Sequence, residues 1–279
     1  MPNSIDYVDN TGGTLAHYNM LQRIRDFAGD NGWQVLRYNT EPANRELILK
    51  GAGFTGSEEI YVGFRTYQDS AADYYNLVAA GFTGYVASNT FDAQPGAVLS
   101  GVPAHNNRID YWLTLNPQRI ALAMKVGTPV YESAYVGKFL PYARPSQYPY
   151  PVIAAGMLSG VPATRFSDLV HSIPYKGARA NFCMRFNDGT WRQPECHPWN
   201  NPTLAGASTQ LRDTGSNYPL TPIELSDSAG LYGELDGVCH ISGFNNAVEN
   251  TLVIGGKTWV VVQDVARTGF NDYYALRMD

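Results

Sequence analysis

The sequence predicts an α+β, β-rich fold with one N-terminal amphipathic helix, antiparallel sheets, and a C-terminal half that is mainly β. Three observations lead there. Short segments of alternating apolar residues recur from residue 33 to the carboxyl end, whereas helical periodicity is clear in one place. The breaks between segments carry Gly, Asn or Pro, as hairpin turns require. A hydrophobic content of 44% over 279 residues is enough to fill a sizeable core.

The opening "MPNSIDYVDN" has neither a positive start nor an apolar block, so it does not read as a signal peptide. After Gly12-Gly13, Leu15, Tyr18, Leu21, Ile24 and Phe27 fall three apart, which predicts an amphipathic helix with Thr14 as N-cap, ended by Gly29 to Gly32. "WQVLRYN", "ELILKGAG", "EEIYVGFRTYQ" and "ADYYNLVAAGFTGYVAS" follow as strands. This helix and meander predict a small α+β unit over residues 1–100. "SNTFDAQPGAVLSGVPAHNN" has no period and reads as a long surface loop.

Residues 101–279 are expected to form a β-rich domain. "IDYWLTLNPQRIALAMKVG" predicts two strands about an Asn-Pro turn, and "TPVYESAYVGKFL" a third, with Tyr131, Ser133 and Tyr135 on one face. "FCMRFNDGTWRQ" is a hairpin about Asn187-Asp188-Gly189. A polar loop runs through "HPWNNPTLAGASTQLRDTGSNYP" before "GELDGVCHISGF", the strand pair "NTLVIGGKTWVVVQDV" and a last strand "DYYALRMD".

Composition narrows function. Charged residues make up only 16% while aromatics reach 13%, a balance that suits surfaces covered by neighbouring chains and also suits a carbohydrate binder. A net charge of −5 without a basic stripe argues against nucleic acid as a partner. No stretch is apolar enough for a membrane segment. Cys183, Cys196 and Cys239 cannot all pair within one chain and read as buried thiols.

Motifs for chemistry fail on spacing or context. "GGKT" (255–258) lacks the earlier glycine of a phosphate loop and leads into a strand, so it is a hairpin turn. Cys196-His197 and Cys239-His240 lack zinc-ligand spacing, and neighbours on a strand point to opposite faces. "GMLSG" has its serine one position too late for a nucleophile elbow. His17 and His105 have no companion motif. Glu234 and Asp236 share a strand face at a separation that glycosidase acid/base pairs also use, and they are the one candidate catalytic pair. Carboxylates flanking a turn are the simpler account. No cofactor and no metal site is expected.

The segment "GKFLPYARPSQYPYP" (137–151) is different. Its prolines fix φ and push Tyr148 and Tyr150, each before a proline, toward extended angles. A stiff aromatic arm loses little entropy on binding, so Phe139, Tyr142, Pro145, Tyr148, Pro149 and Tyr150 are the interface candidates. Packing across its own domain is the competing account.

"GTPVYESAYVGKFLPYARPSQYPYP" and "GELDGVCHISGFNNAVENTLVIGGKTWVVVQDVARTGFNDYYALRMD" resemble virion structural proteins from the tail and neck gene clusters of tailed bacteriophages. The likeness covers residues 110–160 and 215–279, with a weaker echo before residue 85. It rests on a pattern of Tyr, Pro and Gly and transfers no active site. What it implies is a non-enzymatic part of a tail, baseplate or neck. Such a part is present as a ring of copies touching neighbouring tail or neck proteins, and is assembled in the host cytoplasm into the virion. The alternative is a tail protein that binds or cleaves host-surface polysaccharide, using aromatic platforms with Glu234 and Asp236.

Overall fold

The computed structural model describes residues 1–142, 152–161, 163–176, 181–186, 188–200 and 218–279. Strand β1 (Asn3–Asp9) leads into helix α1 (Ala16–Asp30), then a meander of β2 (Gln34–Asn39), β3 (Glu46–Gly51), β4 (Ile60–Asp69), β5 (Tyr74–Phe82) and β6 (Val98–Pro103). Three longer strands follow, β7 (Arg108–Asn116), β8 (Arg119–Gly127) and β9 (Val130–Lys138), and then the short β10 (Leu140–Pro141), β11 (Val152–Ala155) and β12 (Leu158–Ser159). Beyond a 3-10 turn at Phe166–Asp168 come β13 (Phe182–Arg185), β14 (Trp191–Arg192), β15 (Glu195–His197), β16 (Thr221–Asp227) and β17 (Gly230–His240). The last strands are β18 (Thr251–Ile254), β19 (Lys257–Gln263) and β20 (Tyr273–Arg277). The chain is β-rich, with 50% strand and 8% helical residues, and its paired strands are antiparallel.

The strands form three sheets. The first, of seven strands, has the order β1-β7-β8-β9-β11-β13-β14; the second, of six, runs β12-β6-β5-β4-β3-β2; the third runs β15-β16-β17-β20-β19-β18, with β10 added on β17. The first sheet is the central layer, because alternate side chains of its strands meet different neighbours. Tyr111 on one face takes a hydrogen bond from Arg23 of α1, and Val152 and Ala154 of that face lie under Gly81 of the second sheet. On the opposite face Ser133 and Tyr274 of the third sheet bond through their hydroxyls at 2.6 Å. One core cluster therefore joins α1 and all three sheets, from Met20 and Leu77 to Tyr135 and Leu276.

This core crosses the expected boundary at residue 100, which lies inside β6. It also binds β1 to β7 along its whole length, from Asn3↔Thr114 to Asp9↔Arg108. The sequence had given no element to "MPNSIDYVDN"; it is a strand. Helix α1 begins one residue later than expected, with Leu15 rather than Thr14 at the N-cap and no side-chain cap. Its buried stripe is Ala16, His17, Met20, Leu21, Ile24 and Ala28, so Tyr18 and Phe27 fall on the flanks as the true period of 3.6 dictates. The expected surface loop at residues 88–107 contains β6 and lays Phe91, fully buried, over Ile48, Ala80 and Phe82 on the outer face of the second sheet. The Gly255-Gly256 turn joins β18 to β19 as expected, with φ of +60° and +71°.

Candidate interaction surface

The Pro/Tyr arm grows out of the centre of the molecule. Lys138 and Val152 are register partners in the β9–β11 pair, so the arm is the connection between two adjacent strands of the central sheet. Pro145, Tyr148, Pro149 and Tyr150 lie outside the described residues. Its first residues leave the sheet and pair with β17, through Leu140↔Glu234 and Pro141↔Gly233. Phe139, an expected contact residue, is instead fully buried, with its ring against the backbone at Gly233. It anchors the arm and is not available to another chain. Tyr142 is the reverse case, 51% exposed, its N–H bonded to Tyr232 O at 3.0 Å.

Tyr142 also meets one member of the candidate acid/base pair, Glu234. Its hydroxyl lies 2.9 Å from Glu224 Oε1 and 3.1 Å from Glu234 Oε2, two carboxylates directly opposite each other on β16 and β17. One phenolic proton bridges two like charges that would otherwise repel. Partial burial and then the two carboxylates raise the Tyr142 pKa. Asp236 has different partners. It is buried, accepts hydrogen bonds from Asn116 Nδ2 at 2.6 Å and Gln118 Nε2 at 3.3 Å, and faces Arg119 Nε at 3.8 Å. Arg119 is itself fully buried. Gly237 makes room for it: at φ +74° the chain turns aside, and a Cβ there would stand 2.4 Å from Arg119 Nη2. Glu234 thus belongs to the arm's base and Asp236 to a buried ion pair, with no hydrogen-bond partner in common.

The thiols and imidazoles are likewise engaged within the chain. Burial pushes Cys239 up to about 12 and raises Cys183, which holds both as unreactive thiols. His240 Nε2 lies 2.9 Å from Asn271 Oδ1, and burial pulls its pKa down to about 4. His17, fully buried at 2.6 Å from Gln68 Oε1, is lowered to about 4 for the same reason. His105 Nδ1 accepts the Asn107 N–H at 2.8 Å. His197 Nε2 and Ser226 Oγ stand 2.6 Å apart, but among the described residues the other ring nitrogen is buried without the carboxylate that would orient it in a nucleophilic triad. The two Cys-His pairs sit on β15 and β17 with β16 between them. Among the described residues no group of three His, Cys, Asp or Glu is placed to hold a metal ion.

Two features escaped the sequence reading. One is a buried polar cluster in which Glu132 Oε1 meets His171 Nε2 at 2.6 Å, with neither side chain more than 1% exposed. Beside it Asp264 accepts from Ser172 Oγ, the Ile173 N–H and Lys176 Nζ, and Arg267 Nη1 donates to the His171 carbonyl. Single glutamates and histidines scattered over a chain give no spacing signal. The other is a pair of open grooves flanking β1. One, of about 490 Å³, lies between β1 and α1 and is lined by Asp6, Asp9, Asn19, Gln22, Arg23 and Asp26. The second, of about 580 Å³, opens on the opposite face over Ile5, Asp110, Trp112, Lys125 and Glu249. The alternation of Ile5 and Tyr7 with Ser4 and Asp6 is the one local signal of this strand.

No protein-family model matches this chain, and no curated protein matches it.

Proposed function

We propose that the chain is a structural subunit of a tailed-bacteriophage virion, in its tail, baseplate or neck, and that it works by packing against copies of itself in a ring and against neighbouring tail or neck proteins. The observation that carries the reading is the base of the arm. Phe139 and Val152 are buried in the core and Lys138 pairs with Val152, so both ends of the Tyr- and Pro-rich segment are fixed to a rigid mount, and Tyr142 at its start is half-exposed. A low charge content, 16%, suits a surface covered in an assembly. The resemblance in Tyr, Pro and Gly pattern supports a place for that assembly in the virion. Glu234 and Asp236 support a structural part, since each is tied into a different contact inside the subunit. In this reading the protein turns over no substrate and needs no cofactor, and it is assembled in the host cytoplasm.

The test is an arm deletion. Replacing residues 143–150 by a short Gly-Ser turn leaves both anchors, Phe139 and Val152, in place. The variant is expected to keep its circular dichroism spectrum and melting profile while losing ring formation in sedimentation and incorporation into particles. A variant that still assembles and enters particles normally overturns the proposal.

A further inference from the structure

We infer that β1 is an acceptor edge for an extended, basic segment of another protein, which adds to the central sheet as an eighth strand. The backbone parity of β1 supplies the first argument. Pro2 O accepts from Leu115 N, and Asn10 N donates to Asn107 O, so the even-numbered backbone groups of β1 face β7. Those of Ile5 and Tyr7 face the other way, where, among the described residues, the sheet order places no further strand. The side-chain bonds agree with this parity: Tyr7 N donates to Asp6 Oδ1 at 2.9 Å, and Asp9 O accepts from Asn19 Nδ2 at 2.7 Å. Ile5 and Tyr7, 59% and 47% exposed, stand beside that open row.

Charge selects the occupant. Arg23 is turned to the Tyr111 hydroxyl at 2.7 Å and to Ser4, and Asp26 is paired with Arg25 at 2.8 Å. Across the strand Arg108 pairs with Asp110 and covers the Tyr7 ring, and Lys125 pairs with Glu249. Asp6 and Asp9 remain, among the described residues, without a cation in ion-pair range. A second copy of β1 is a poor occupant, because the full-length antiparallel register about a twofold axis sets Asp6 opposite its own counterpart. A strand bearing Lys or Arg at alternate positions instead directs them into the groove lined by Asp6 and Asp9. Its remaining side chains then cover Ile5 and Tyr7 on the other face. The carboxylate of Asp6, which now caps the Tyr7 N–H, exchanges that donor for the incoming cation and frees the N–H for a ladder bond. Asp6 therefore repels like edges and admits an opposite one. This inference is independent of the virion reading.

The probe is a fluorescein-labelled peptide of seven alternating Lys and Val residues, acetylated and amidated, titrated with the full chain and followed by anisotropy. Saturable binding is expected, with slowed hydrogen exchange at the Ile5 and Tyr7 amides. The Asp6→Lys variant, checked for unchanged circular dichroism, is expected to lose at least about tenfold in affinity and to gain affinity for the peptide carrying Glu in place of Lys. A Lys peptide whose central Val is replaced by Pro is expected to fail. No binding of the Lys peptide, equal binding of the Pro or Glu peptides, or unchanged exchange at Ile5 and Tyr7 overturns the inference. So does a dimer of the chain alone that protects those same amides.

Discussion

Arg119 shows how one buried residue sets the role of its neighbours. A guanidinium with no exposed surface is held by Asp236, by Thr114 O at 3.1 Å and by the space left at Gly237. Burial pulls its pKa below the usual arginine value, opposed by Tyr135 and Asp236. Removing the carboxylate leaves an uncompensated charge in the core, so Asp236→Ala is expected to lower stability by about 3–5 kcal/mol in urea unfolding. A catalytic role would instead lower activity with little change in stability. Glu132 gives a pH prediction. Its folded pKa is raised to about 7 from 4.5, by burial first, with His171 and Arg267 opposing and Asp264 adding to the rise. The folded state therefore holds this proton more tightly than the unfolded chain does. The contribution to stability is complete below pH 4.5 and is lost as pH rises through about 7. Glu132→Gln, which cannot ionise, is expected to flatten the decline of melting temperature between pH 5 and 8. An unchanged pH profile would assign that decline to other groups.

Among the elements, those that the sequence marked clearly lie in the central layer, where β8 and β9 are buried on both faces. Strands β7 and β8 pair about the Asn-Pro turn and β9 follows as the third strand, with Ser133 reaching Tyr274 of the third sheet. Elements that were missed broke a local rule for a tertiary reason. Strand β1 exposes its apolar residues Ile5 and Tyr7, so its pattern promises no burial. Strand β16 contains Pro222, and the irregular register between Pro222 and Glu224 accommodates it at a bulge. Strand β6 lies in a Gly- and Pro-bearing stretch whose order comes from pairing with β5. The candidate site was legible only in part, since a strip of Tyr and Pro announces an arm but not that Phe139 is its buried foot. Turn geometry makes its own prediction. Gly255 has φ +60° and open space around it, so Gly255→Ala is expected to cost about 1 kcal/mol, from backbone conformation alone. Gly237→Ala combines a positive φ with a collision at Arg119 and should cost distinctly more in the same melts.

At the scale of the whole molecule, a main core cluster that joins α1 to all three sheets makes the described residues one mount for the base of the arm and the β1 edge. Deleting the arm and blocking the edge are therefore expected to act separately: arm deletion should abolish assembly while leaving peptide capture by Asp6 intact, measured by sedimentation and anisotropy on the same sample. Near β1 the chain also closes on itself, for Asn3 Nδ2 donates to Met278 O at 2.5 Å. During synthesis β1 has no partner until β7 has been made, and this staple must wait for Met278. Long-range closure of this kind slows folding, so early in translation a ribosome-bound fragment displays Ile5 and Tyr7 on a chain with no sheet to join.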